Sequence, residues 1–300
     1  MKLDNQSRIK LFSRWDTKDR FAYLFIDESG NSSEKMWDKI DPCINKLGYV
    51  KRDISCYTMT GILVKSKKQY GRIVKKVENL KIDIFGKEHK NTHCHRSELL
   101  SPSENDDISV FNKTNIYKYE KGLIEIAKEF KLPIFSASFN REIYFLREKK
   151  MKNRSCINKS LDLKKLLFAK IMNYTKNYCY KNNFKKKIVI VMETEDTHHD
   201  NQIFTYFESN KTNNFKKFLF MKKTIINKKD QTKKSLIMNE MVDFLNAAFF
   251  FWAANTPYHL LKFNMPEYPK HFKHSLAIID ANFIELKHNK EITEKSMMLE

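Results

Sequence analysis

One stretch constrains this chain more than any other: Tyr23-Leu-Phe-Ile-Asp27-Glu-Ser-Gly30-Asn31. Phe21 to Ile26 is an apolar run with the length and composition of a strand buried on both faces. It runs straight into Asp27 and then into Ser29-Gly30-Asn31, which have turn chemistry. A carboxylate at the end of a buried strand sits where a sheet opens to solvent, on a rigid base, the usual place for metal or phosphoryl chemistry in α/β proteins. The same Asp is equally compatible with simply opening a turn, so the rest of the chain has to decide between the two readings.

Two chemistries start from such an Asp. Haloacid-dehalogenase-like phosphatases need a second Asp two residues on, where this chain has Ser29. RNase H-like nucleases need an Asp on the first strand and further carboxylates supplied from elsewhere. Candidates for those are present. The strand Ile188-Val-Ile-Val-Met192 ends on Glu193, and if it runs beside the first strand in the same direction, both carboxylates reach one edge. Glu240 interrupts the apolar helix Leu236-Ile-Met-Asn-Glu-Met-Val-Asp-Phe-Leu, with Asp243 three residues on and on the same face. A charge on a core helix is costly unless it is paired or bound to metal, whereas on a solvent stripe it is ordinary. Phosphodiester cleavage of the two-metal type uses Mg²⁺ ions roughly 4 Å apart bridged by a shared carboxylate. Mg²⁺ keeps several waters, so three or four carboxylates suffice.

Around these positions the chain alternates strands and helices. Expected strands are Cys56 to Val64, paired antiparallel with the first, Pro133 to Phe139, Lys187 to Met192 and Phe218 to Lys222, with a further short one at Gly48 to Val50. Expected helices are Lys67 to Phe85, closed by Gly86, then Asn115 to Lys131, Leu161 to Tyr180, Gln202 to Ser209 and Ser235 to Ala254. The pattern predicts a mixed α/β fold with a single domain over residues 21–255 carrying a basic insertion at about 141–159. Residues 1–20 form a polar lead-in, and residues 256–300, with Pro257, Pro266 and Pro269, an irregular C-terminal wrap.

Lys and Arg exceed Asp and Glu by 56 − 36 = 20. Such a charge favours polyanionic partners, although a Lys-, Asn-, Ile- and Phe-rich composition also follows from AT-rich coding. Arg141 to Lys159, Lys185 to Lys187 and Lys222 to Lys234 are candidate phosphate contacts, with too few interleaved aromatics for a stacking platform. Five scattered cysteines without a Cys-x-x-Cys pair argue against a disulfide framework or zinc ribbon and fit a reducing cytoplasm. The first twenty residues have no apolar core of the signal-peptide kind, and Phe244 to Ala254 is too short to span a bilayer. The expectation is a cytoplasmic protein without a membrane partner.

Four elements in order resemble the family catalogued as domain of unknown function 3800, whose members are similar to RNase H-like nucleases. They are Tyr23 to Gly30, His95-Arg-Ser-Glu98-Leu99, Val191-Met-Glu193-Thr-Glu195-Asp196 with downstream Asp200, and the helix Leu236 to Val242. In that last helix Ile237 and Asn239 replace the family's Gln and Ala, and Glu240 replaces its Asp. The resemblance implies an RNase H-like mixed sheet flanked by helices and a hydrolase, specifically a metal-binding nuclease of DNA or RNA using Mg²⁺ or Mn²⁺. It implies Asp27, Glu193 and Glu240 as catalytic metal ligands, Glu98 as a fourth catalytic carboxylate, and Asp200 as an alternative ligand. Asp243 is the substitute if Glu240 does not serve. Glu28 reads as a turn or capping residue beside the site. His93 and His95 read as auxiliary groups that orient a phosphate or shuttle a proton, or as histidines packed near a polar loop. Two rival readings stay open: a nucleic-acid-binding module with a degenerate metal site, and a metal-dependent phosphoesterase acting on a nucleotide. Homo-oligomerisation is left open as well.

Overall fold

In the computed structural model the described residues are 20–30, 32–40, 42–43, 56–95, 111, 113–141, 162–193, 197–221, 224–226, 233–235 and 237–254. The lead-in, the strand expected at Gly48 to Val50, Glu98, nearly all of the basic insertion and the C-terminal wrap lie outside them.

The strands are β1 (Phe21–Gly30), β2 (Cys56–Val64), β3 (Ile134–Asn140), β4 (Lys187–Glu193) and β5 (Phe215–Met221), which form one sheet in the order β3-β2-β1-β4-β5. Helices α1 (Lys67–Phe85), α2 (Lys113–Glu129), α3 (Leu163–Lys181), α4 (Thr197–Asn210) and α5 (Ile237–Ala254) accompany it. A short antiparallel hairpin, β6 (Thr224–Ile226) and β7 (Lys233–Ser235), precedes α5. The chain is thus an α/β protein with a mixed five-stranded sheet flanked by helices.

The chain divides into two compact units. One comprises Met1–Asp27, Gly61–Ile134 and Lys176–Leu245, and the other Glu28–Thr60, Phe135–Thr175 and Asn246–Glu300. In the first unit, β1 pairs in parallel with β4, and β4 with β5. The β1–β4 register runs from Phe21 opposite Lys187 to Ile26 opposite Met192. Ala22 to Ile26 and Ile188 to Met192 are all buried, which is why these runs read as unbroken apolar segments rather than alternating ones. Phe25 stacks on Tyr70 of α1, with ring centroids 5.9 Å apart, so α1 covers that face of the sheet. Helix α1 begins at Ser66, whose hydroxyl accepts from the Gln69 amide at 3.0 Å, and stops at Gly86, where φ is +99°.

In the second unit the hydroxyls of Thr58 and Thr60 meet those of Ser138 and Ser136 at 2.8 and 2.9 Å. The two pairs have the same summed residue number, so β2 and β3 run antiparallel. All four side chains are buried, and each hydroxyl satisfies another.

Two expectations change. Strand β1 does not end at Asp27: it continues to Gly30, whose φ of +93° terminates it in a conformation that glycine takes without penalty. The lysine-rich stretch before α5, read from the sequence only as a candidate phosphate contact, contains the β6–β7 hairpin.

Candidate functional site

The last register pair between β1 and β4 is Ile26 with Met192. Continued by one step, that register would set Asp27 beside Glu193. Parallel neighbours at one level point their side chains to the same face, and adjacent strands are about 4.8 Å apart. Both residues are half-buried. The sheet order reverses between β1 and β4, since β2 and β3 lie on one side and β5 on the other. Glu193 therefore closes β4, and Asp27 stands three residues before the end of β1, toward the carboxyl side of the sheet at a topological switch point, where open α/β sheets bind ligands.

Glu240 is in a different situation. It is fully buried, as is Lys81, whose ammonium lies 2.7 Å from each of its carboxylate oxygens. Lys81 also donates to the Thr92 carbonyl at 2.7 Å, and the Tyr119 hydroxyl donates to Glu240 Oε1 at 2.6 Å. His93 Nδ1 is 3.9 Å from Glu240 Oε2. Burial, then the Glu240 charge, raises the Tyr119 pKa well above its usual value. The same two causes, in the same order, push the Cys94 thiol up. Glu240 thus closes a core network joining α1, α2 and α5.

Asp243 turns to His95, with Oδ1 3.5 Å from Nε2. The His93 and His95 rings are 6.4 Å apart, so the segment after α1 offers one imidazole to each α5 carboxylate. Every described side chain of α5 from Ile237 to Ala247 is buried, including Asn239, Glu240, Asp243 and Asn246. Asn239 is only 3% exposed, and among the described residues neither of its amide atoms has a hydrogen-bond partner. One turn beyond Asp243, Asn246 donates to Ser29 Oγ at 3.0 Å and receives the Thr60 hydroxyl at 2.7 Å. The polar stripe of α5 therefore meets β1 two residues past Asp27.

Glu28, alternating to the other face of β1, accepts from the Tyr57 hydroxyl and from Lys164 at 2.8 Å. Lys164 sits in the first turn of α3, where a cation opposes the helix dipole, and Glu28 offsets it. Asp200 lies buried in the first turn of α4, where its charge suits the dipole. The helix expected from Gln202 begins earlier, at Thr197, and takes in His198 and His199.

Sequence reading missed Lys81, Tyr119, Lys164 and Asn246. The first had a visible signal: Ile73, Val77, Lys81 and Phe85 recur every fourth residue, and all are buried, so a lysine occupies a core position. Among the described residues no three of His, Cys, Asp and Glu converge as a group able to hold a metal ion, and no helix is long and apolar enough to cross a membrane. The lysines of 185–187 and of β5 (Lys216, Lys217) gather at the amino ends of β4 and β5, the end away from Glu193. Set against models of known protein families, against curated proteins and against solved structures, the chain matches none.

Proposed function

We propose that this chain is a divalent-metal-dependent hydrolase of nucleic-acid phosphodiesters, built on an RNase H-like sheet of the kind found in the domain of unknown function 3800 family and working in the cytoplasm. The observation that supports the reading is the parallel β1–β4 register ending at Ile26 and Met192, which, continued by one step, would bring Asp27 and Glu193 to neighbouring positions. Mg²⁺ commonly binds through one or two carboxylates, with waters and substrate phosphates completing its shell. Asp27 and Glu193 suit that need. Glu240 does not, because Lys81 and Tyr119 already take up its oxygens. Asp243, on the stripe of α5 that meets β1, is the better candidate on that helix, and Asp200 serves at most as support. A bound ion would supply charge neutralisation and an activated water. The protein's own part is to fix the two carboxylates on a rigid sheet edge.

The test is cleavage of labelled single- and double-stranded DNA and RNA with Mg²⁺, Mn²⁺ or EDTA, alongside Asp27→Asn and Glu193→Gln. Each substitution should lower metal-dependent cutting by more than about a hundredfold, since losing even the partners behind metal ligands costs 10–100-fold. Cutting that survives both would place the chemistry elsewhere.

The engagement of Glu240 favours one rival, a nucleic-acid-binding module with a degenerate metal site. Binding without cutting, unchanged by EDTA, would select it.

A further inference from the structure

Lys81 is the exception on its own helix. Its neighbours on the buried stripe, Ile73, Val77 and Phe85, are apolar, yet the lysine is fully buried among them. An ammonium carries three N–H donors and no acceptor. Here the three face three oxygens, both carboxylate oxygens of Glu240 and the Thr92 carbonyl, all at 2.7 Å. Tyr119 closes Oε1 from the other side at 2.6 Å. Oxygens gathered around a compact buried cation are what a metal ion also demands, and in this pocket an ammonium already holds that position.

From this geometry we infer that Lys81 is the resident cation of α5: it occupies the place on Glu240 that a divalent ion would need, so Glu240 takes no part in metal binding. Mg²⁺ sits about 2.0–2.1 Å from its ligand oxygens. An ion that close to either oxygen of Glu240 would press against the ammonium where little water screens the two charges. Admitting it would require Lys81 to leave a buried slot in which every one of its protons is satisfied. The inference does not rest on phosphodiester cleavage and holds whether or not the chain cuts nucleic acid.

The experiment is Mn²⁺ binding, read from the spin-resonance signal of the free ion, to the full chain and to Lys81→Met/Glu240→Gln. That double variant removes both charges together and keeps an acceptor for Tyr119. The expected result is an unchanged number of bound ions, with dissociation constants within threefold of the unaltered protein. Loss of one equivalent, or weakening beyond threefold, overturns the inference. An unaltered protein that binds no Mn²⁺ agrees with it and instead sinks the metal reading of Asp27 and Glu193. If the variant does not fold, acetylation of the unaltered protein decides. Lys81 should react more than a hundredfold more slowly than the exposed Lys185, with or without Mn²⁺. Labelling of Lys81 induced by Mn²⁺ overturns the inference.

Discussion

A buried carboxylate is available to a ligand only to the extent that its neighbours leave it so, and Glu240, held by Lys81 and Tyr119, differs in burial from the half-buried Asp27. Both are acids on core elements in the sequence. The ammonium that claims Glu240 lies 159 residues away, a pairing that no local pattern encodes. Breaking a buried ion pair from one side strands the other charge, so Lys81→Ala should cost about 3–5 kcal/mol in urea unfolding, while removing both charges should cost far less. Asn239 poses the reverse problem. Its amide is buried without a partner among the described residues, and truncating such a group removes a desolvation penalty of about 1–3 kcal/mol. Asn239→Ala should therefore leave the protein as stable as before or more stable by about 1 kcal/mol, measured by the same unfolding; a clear loss would mean that an internal water serves that amide.

Most elements were legible because each is a single uninterrupted pattern. Apolar runs gave β1 and β4, a run rich in β-formers gave β2, and a helical apolar stripe gave α1 with its Gly86 stop. The β1–β4 neighbourhood, on which the Asp27–Glu193 pair depends, could be stated only as a condition, because strand order is a property of the whole sheet. The β6–β7 hairpin was missed for a local reason: Lys233 and Lys234 face Ile226 and Ile225 across it, so neither strand shows a clean alternation. What fixes β2 against β3 was equally hidden, since Thr and Ser carry no sign of which hydroxyl they will meet. A one-residue slip there would break both hydroxyl pairs and turn each strand over. Thr60→Val, which keeps the shape and removes the hydroxyl, deprives Ser136 and Asn246 of a partner at once. The expected cost is about 1–3 kcal/mol, with no change in secondary structure by circular dichroism.

For the molecule as a whole, alkali is the informative stress. Burial raises Cys56 from 9.0 to about 12 and Cys179 from 9.0 to about 11, and it pushes Tyr70, Tyr119 and Cys94 up as well. A group that holds its proton more tightly when folded contributes stability that is complete below its unfolded pKa and is lost as pH rises through the folded one. For Cys56 the window runs from about 9 to about 12, and for Cys179 from about 9 to about 11. Each thiol fully ionised in the unfolded chain but not in the folded one contributes a slope of roughly 1.4 kcal/mol per pH unit. The melting temperature should therefore fall steeply above pH 9, and Cys56→Ala should make that fall shallower. The placement of charge along β4 has its own consequence. Lys187 opens the strand and Glu193 closes it, six residue steps or about 20 Å apart. If the proposed cleavage holds, a duplex held at the lysine end and cut at the carboxylate end would span about six steps of 3.4 Å along one strand. The strand would then act as a ruler: oligonucleotides much shorter than six residues should be poor substrates however many are supplied, and efficiency should step up once a strand is long enough to touch both ends.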